Sequence, residues 1–214
     1  MTEPSRSSGA ELARRLLDAP LVMRPRTRPA LRYERGFTLI EMMVVVVLVG
    51  VLATLAVYGV RSYILSAKTG EAVSMMTSIK SAEEAFKGET FVYYDVSTDL
   101  TATNMYPSAT PGKAKMQWGA ESSAAGLAAK WRTLGVSPDG PTLFSYSVVA
   151  TAPGASAPAL PTQKTATAFG LPTTPTTWQY IAVAAADMGG TPGVSTYVLS
   201  HSYSSEVYVE NEGE

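Results

Sequence analysis

A run of nineteen uncharged residues between Glu41 and Arg61 constrains this chain more than any other feature. The run, residues 42–60, reads MMVVVVLVGVLATLAVYGV. At about 1.5 Å of rise per residue, a helix of that length covers about 28 Å, which is close to the hydrocarbon thickness of a bilayer. A soluble protein of this size does not need so long an unbroken apolar helix. The run therefore predicts a membrane-spanning helix.

Charge is distributed unevenly on the two sides of this run. Residues 1–36 contain eight arginines and four acidic residues, a net charge of +4. The remaining residues contain nine basic and fourteen acidic side chains, a net charge of −5. Because basic segments stay on the cytoplasmic side of a membrane, this asymmetry predicts a single-pass topology with the N-terminus in the cytoplasm and the body exported.

A cleavable secretory signal is an alternative explanation of an apolar segment near the N-terminus. Such a signal has an apolar core of about 7–15 residues and a small-x-small cleavage site after it. Here the run is longer, and residues 61–64, RSYI, offer no such site. A plain signal anchor remains possible on these grounds.

The residues before the run carry a more specific signal. The sequence Gly36-Phe37-Thr38-Leu39-Ile40-Glu41, preceded by Arg35, resembles the class III signal of type IV pilins and type II secretion pseudopilins. The resemblance implies that a prepilin peptidase cuts after Gly36 at the cytoplasmic face and methylates the new N-terminal residue, Phe37. It also implies three further partners: membrane lipid before assembly, like subunits in a helical fibre, and an inner-membrane assembly platform driven by a cytoplasmic ATPase.

The leader removed by this cut is residues 1–36, which is long for the family. Translation from Met23 would give a fourteen-residue leader of the usual length. Both starts, Met1 and Met23, lead to the same mature chain, because both leaders end at Gly36.

Glu41 places a carboxylate at the edge of the membrane-spanning segment, where an ionised group is costly unless it has a role. Thr38-Leu39-Ile40-Glu41 fits a capping box, in which Thr38 caps the helix and Glu41 bonds back to the Thr38 amide. The alternative is that Glu41 pairs with the free amine of Phe37 on a neighbouring subunit. The residues alone leave both open, and the family resemblance favours the pairing.

The helix is expected to continue beyond the membrane to about Gly88, so that the N-terminal helix is residues 37–88. Apolar residues three, four or seven apart form a single stripe on its second half, which indicates packing against a globular head. The stripe comprises Leu65, Ala72, Met76, Ile79, Ala82 and Phe86. Small residues recur every three positions within the membrane segment, at Gly50, Ala53, Ala56 and Gly59. They favour close approach of several neighbouring helices, although glycine and alanine are also common in transmembrane helices generally, and the residues alone leave both explanations open.

Residues 89–214 are predicted to form the exported head. Residues 121–134 have helical composition, with Trp131 and Leu134 facing inward. Four later segments are rich in β-branched and aromatic residues or alternate between apolar and polar residues. Turn residues separate them, which is typical of strands. These segments are residues 143–150, 177–186, 194–200 and 206–211. A Pro-, Thr- and Ala-rich segment, residues 151–176, is predicted as an extended surface loop. The fold class is therefore α+β, with the long helix packed on an antiparallel sheet.

Composition gives no support for catalysis. The chain has no cysteine and one histidine, His201, and it lacks the common nucleophile, phosphate and zinc motifs. His201 is predicted to be a surface or edge residue. The turn after Asp187 offers a single carboxylate, too few oxygens for calcium, and the acidic tail, residues 210–214, is predicted to be a solvated charged end rather than a source of calcium ligands. We therefore predict no catalytic, cofactor-binding or metal residue, and DNA binding is not indicated.

The sequence predicts a structural subunit rather than an enzyme. The first candidate is a type IV pilus subunit, major or minor, for adhesion, motility or DNA uptake at the cell surface. The alternative is a type II secretion pseudopilin in a periplasmic pseudopilus. Both would reside in the bacterial inner membrane before assembly. A remote alternative is an exported enzyme or binding domain held by a signal anchor.

Overall fold

The computed structural model describes residues 36–109, 111–119, 126–189 and 194–212. These residues form a long helix, α1 (Leu39–Thr90), and a short helix, α2 (Leu127–Leu134), followed by four strands, β1 (Ser145–Thr151), β2 (Gln179–Ala186), β3 (Thr196–His201) and β4 (Tyr208–Glu210). Two 3₁₀ turns accompany them: Ala102–Asn104 lies between α1 and α2, and Ala166–Phe169 lies between β1 and β2. Residues 1–35 of the predicted leader and residues 121–125 of the predicted second helix lie outside the described residues. The chain divides into two units, residues 1–47 and 48–214.

Helix α1 runs uninterrupted for 52 residues because no proline occurs within it. It ends two residues beyond the predicted position near Gly88. The amide of Phe91 donates to the Lys87 carbonyl at 2.8 Å, and Phe91 itself adopts a left-handed backbone with φ of 64°. That conformation stops the helix and turns the chain back towards the head.

The predicted apolar stripe of α1 lies against the head, as expected. Ala72, Met76 and Ile79 are fully buried. The other three members, Leu65, Ala82 and Phe86, are partly buried against the same core. Helix α2 and one face of the sheet complete this core, which we call the inner core. Its buried members from α2 and the sheet include Trp131, Tyr146, Val148, Tyr180, Ala182 and Val198. The predicted inward orientation of Trp131 and Leu134 is confirmed.

The sheet is an antiparallel meander in the order β1-β2-β3-β4. Val148 lies opposite Ala182, and Ala184 lies opposite Val198, so the helix-facing residues of neighbouring strands align. The observed strand ends lie within two residues of the predicted ones. The α+β architecture, a long N-terminal helix packed on a four-stranded antiparallel sheet, is therefore confirmed.

The opposite face of the sheet is also buried, which the sequence did not predict. Phe169 and Leu171 of the proline-rich segment pack on this face together with Leu100 and Met105. They cover alternate residues of β2, such as Ile181 and Val183, which would otherwise expose apolar surface to water. The segment connects β1 to β2 as predicted, but part of it belongs to a second core.

The prediction that His201 lies at the surface is wrong. Its side chain is buried beneath the proline-rich segment, and its ring stacks on Tyr208 with a centroid distance of 5.6 Å. Its Nδ1 accepts the amide of Tyr203 at 3.2 Å. Burial lowers the pKa of His201 below its ordinary value. His201 is thus a buried residue that packs on Tyr208 of the neighbouring strand.

Candidate processing and assembly site

The predicted cleavage segment lies immediately before α1. Gly36, Phe37 and Thr38 are non-helical and exposed, and the Phe37 side chain is 75% exposed. Helical backbone begins at Leu39. The bond between Gly36 and Phe37 is therefore in a part of the chain whose backbone is not committed to helical hydrogen bonds.

Thr38 caps the helix. Its carbonyl accepts the amide of Met42 at 3.2 Å, and its Oγ1 accepts the amide of Glu41 at 3.2 Å. The hydroxyl thereby satisfies one of the amides that the first turn of a helix leaves without a carbonyl partner. The predicted cap by Thr38 is confirmed.

The carboxylate of Glu41 does not complete the capping box. Within the described residues it forms no hydrogen bond to the Thr38 amide and no ion pair with a basic side chain. Glu41 is exposed in the first turn of α1, where the positive end of the helix dipole favours a negative charge. Its carboxylate is therefore free to contact another group, four residues after Phe37.

The following part of α1 is a long exposed apolar surface. An eighteen-residue window of the helix has a mean hydropathy of 2.7, and none of that window is buried. Large side chains such as Val46 and Leu52 are 67% and 65% exposed. By length and composition α1 is able to cross a membrane. So much exposed apolar surface requires either lipid or other protein around it.

The small residues of this surface lie on different sides of the helix. Gly50, Ala53, Ala56 and Gly59 are all exposed. Because successive residues turn by about 100°, a spacing of three moves each member about 60° around the axis from the last. The set therefore does not form one close-packing face.

Sequence reasoning missed one buried acid on α1. Glu83 is fully buried, and its Oε2 accepts the amide of Tyr94 at 2.9 Å. Desolvation raises its pKa to about 8, and the negative charges of Asp95 and Glu84 act in the same direction. Glu83 lies four residues after Ile79 and seven after Met76, so its position in the apolar period was the signal that could have identified it.

The acids considered for calcium have other roles. Asp187 accepts the amide of Gly189 at 2.8 Å, which is a turn contact. Glu210 is buried rather than solvated, and Glu212 accepts the hydroxyl of Ser66 at 2.9 Å. Among the described residues no group of three or more histidine or carboxylate side chains is placed to hold a metal. Glu214 and residues 190–193 lie outside the described residues.

Comparison with known proteins agrees with the N-terminal signal. A family model described as the prokaryotic N-terminal methylation motif matches residues 31–57. The type II secretion system core protein G of Pseudomonas aeruginosa is 39% identical over 80 residues, which is 37% of this chain and 56% of that protein. The corresponding protein of Pectobacterium carotovorum is 37% identical over 78 residues, 36% of this chain and 50% of that protein.

A type IV pilin is also among the relatives. The type IV major pilin protein PilA of Myxococcus xanthus is 33% identical over 67 residues, which is 31% of this chain and 30% of that protein. No solved structure matches this chain significantly. The chain thus spans about half the length of the type II secretion relatives and less of the pilin. Taken with the methylation motif, the exposed apolar helix and the α+β head, these matches support a place for this chain among the type IV pilins and type II secretion pseudopilins.

Proposed function

We propose that this chain is a structural subunit of a type IV pilus or pilus-like fibre, not an enzyme. Its precursor is held in the inner membrane by α1 with the N-terminus in the cytoplasm. Prepilin peptidase cuts after Gly36 and methylates Phe37, and the mature chain of residues 37–214 polymerises through α1. The observation that carries this proposal is that an exposed apolar helix follows directly after the helix cap at Thr38.

The state of the backbone before α1 supports cleavage at Gly36. A protease needs an extended, accessible peptide, and a residue inside a helix is neither. Gly36 and Phe37 are non-helical and exposed, and the cap at Thr38 marks where helical structure begins. Hydrolysis of the Gly36–Phe37 bond would release the basic leader and leave a free α-amine on Phe37 without disturbing α1.

The new amine would need a negative partner. An α-amine has an ordinary pKa of about 7.7–8.0, and a methylated amine still carries its positive charge at neutral pH. That charge would lie at the positive end of the α1 dipole, where a cation is unfavourable. Glu41 of a neighbouring subunit would neutralise it, and the Glu41 carboxylate has no competing partner among the described residues.

The same pair would set the register of the fibre. Two unit charges about 4 Å apart attract by roughly 4 kcal/mol at an effective dielectric constant near 20, before the cost of desolvation is subtracted. The net gain is smaller, but a subunit shifted along the fibre would leave both charges unpaired among apolar side chains. Misplaced packing would therefore be penalised more strongly than correct packing is rewarded.

A periplasmic pseudopilus is the second candidate. The matches to type II secretion core protein G cover a larger share of those relatives than the match to the Myxococcus pilin covers of that pilin. We give the pilus first place because the head, residues 89–214, is large for a major pseudopilin. Immunogold labelling separates the two: surface fibres support a pilus with roles in adhesion, motility or DNA uptake, whereas periplasmic retention supports the pseudopilin.

Glu41→Gln tests the assembly step. Glutamine keeps the length of the side chain and leaves the Thr38 cap in place, because the cap uses the Glu41 main-chain amide. We expect the variant to be cleaved normally, while the ratio of fibre protein to membrane protein falls at least about tenfold, the effect of losing about 1.4 kcal/mol per subunit contact. Glu89→Gln, an exposed acid near the other end of α1, is the matched control. A normal fibre yield from Glu41→Gln would contradict the proposed pairing between Glu41 and the amine of Phe37.

A further inference from the structure

The exposed side chains at the outer end of the apolar run have a distinctive composition. Tyr58 and Tyr63 are 78% and 76% exposed, and Arg61 between them is also exposed. The uncharged run ends at Val60. Two phenols and a cation thus stand at the point where a membrane-spanning segment would leave the hydrocarbon.

These residue types suit the lipid headgroup layer. The ring of tyrosine is apolar and its hydroxyl seeks water, so tyrosine is enriched where hydrocarbon meets water. An arginine guanidinium pairs with phosphate through two hydrogen bonds, and phosphate is the negative group of phospholipids. Tyr58 and Tyr63 are five residues apart, about 7.5 Å along the helix, which is comparable to the interfacial layer of roughly 5–7.5 Å on each side of a bilayer.

The three residues also surround much of the helix. At about 100° per residue, Arg61 lies about 60° from Tyr58 to one side, and Tyr63 about 140° from Tyr58 to the other. If these residues served to contact one protein neighbour, they would lie on a single face of the helix. A distribution around the helix is suited to a layer that meets the helix from all sides, as headgroups do before assembly.

The head begins directly beyond these residues. Leu65 packs against the inner core, and the Ser66 hydroxyl donates to Glu212 at 2.9 Å. Only residues 62–64 separate Arg61 from Leu65, the first of these head contacts, and the rise from Arg61 to Leu65 is about 6 Å. Headgroups around Arg61 would therefore lie next to the base of the head, on the side where Glu212 is located.

We propose that Tyr58, Arg61 and Tyr63 form an interfacial collar that binds the phospholipid headgroup layer on the outer side of the membrane and sets the depth of α1 before assembly. This proposal rests on the membrane-spanning role proposed above for α1. The collar defines where the helix stops entering the bilayer, so that Leu65 and the head remain outside.

The absence of cysteine from the chain allows a direct test. Single cysteines at Leu52, Val60, Ser66 and Ser74 of the full chain are spin-labelled after reconstitution into phosphatidylethanolamine and phosphatidylglycerol vesicles. The relative accessibility of each label to oxygen and to a water-soluble nickel complex gives its depth. We expect Leu52 to be deep, Ser74 to be in water, and the boundary to fall between Tyr58 and Tyr63.

Replacing the tyrosines tests the collar itself. Tyr58→Leu with Tyr63→Leu should move the boundary by about one helical turn towards Ser66, roughly 5 Å, because the segment loses the hydroxyls that hold it in the headgroup layer. Arg61→Leu should move it in the same direction. Ser62→Leu, which adds apolar surface to the same segment but keeps all three collar residues, is the matched control and should leave the boundary in place.

The outcomes separate the collar from the membrane span. A boundary that stays fixed in the tyrosine and arginine variants, that moves equally in Ser62→Leu, or that lies beyond Ser66 in the unmodified chain would overturn the collar while leaving the span intact. A label at Leu52 that is accessible to the nickel complex would instead overturn the proposed span, and the collar with it.

Discussion

The hydroxyl of Thr38 accepts the main-chain amide of Glu41 at 3.2 Å, so the start of α1 is capped through the backbone of Glu41 and not through its carboxylate. The amide of Glu41 takes part in the cap, whereas its carboxylate has no partner among the described residues. The Thr38 cap and the proposed intersubunit pairing would therefore use different atoms of Glu41 and are compatible. Substitutions at Thr38 and at Glu41 test them independently.

Thr38→Val should weaken the first turn of α1 without changing the charge of the site. Valine has nearly the shape of threonine but cannot accept the Glu41 amide, and loss of a threonine cap costs about 1 kcal/mol. We expect hydrogen exchange at the Glu41 amide of the detergent-solubilised chain to become about fivefold faster. Thr38→Ser keeps the hydroxyl and should exchange at the original rate. Equal rates in the valine and serine variants would show that the cap contributes nothing.

The buried carboxyl of Glu83 makes the stability of the head depend on pH. Its pKa is about 8 in the folded chain against 4.5 ordinarily, so between these values the folded chain binds a proton that the unfolded chain has released. The stabilisation is complete below about pH 4.5 and is lost as the pH rises through about 8. We expect the free energy of unfolding of the solubilised chain to fall by a few kcal/mol between about pH 6 and about pH 9.

Glu83→Gln should flatten this pH dependence. Glutamine is neutral throughout the range, and its side-chain oxygen can still accept the Tyr94 amide that Glu83 now accepts. Denaturant unfolding followed by near-ultraviolet circular dichroism measures the effect, with the exposed Glu89→Gln as control. If the glutamine variant loses stability with rising pH as steeply as the unmodified chain, another group is responsible.

The end of α1 contains a strained residue. Phe91 has φ of 64° and is 81% exposed, so its ring gains little packing while its Cβ makes the left-handed backbone unfavourable. Phe91→Gly should raise the free energy of unfolding by about 1 kcal/mol, because glycine adopts this conformation without steric conflict. Phe91→Ala keeps the Cβ and should bring no such gain. An equal gain in the free energy of unfolding from both variants would show that the gain comes from removing the phenyl ring and not from relieving the backbone.

The sequence predicted the elements of this fold because their signals are local. The apolar period of α1 identifies the face formed by Ala72, Met76 and Ile79, and turn residues delimit each strand to within two residues. Thr38 is recognisable as a cap from its position before the first helical turn. These features depend on residues a few positions apart, which a sequence displays directly.

The buried polar residues were missed because their surroundings come from distant parts of the chain. His201 lies in a strand of polar appearance, and its burial depends on residues elsewhere in the chain, such as Tyr208, on which its ring stacks. Glu83 occupies an apolar position of α1, but the amide of Tyr94 that makes its burial tolerable belongs to the chain after the helix. Burial of a polar group depends on such partners, and residue type alone does not indicate them.

The intact mass of the protein from cells that contain prepilin peptidase is the most direct test of the central claim. The account predicts a single species that consists of residues 37–214 with one added methyl group, and fragmentation should place that methyl group on the amine of Phe37. A protein that retains residues 1–36, that begins at any residue other than Phe37, or that carries no methyl group would contradict it.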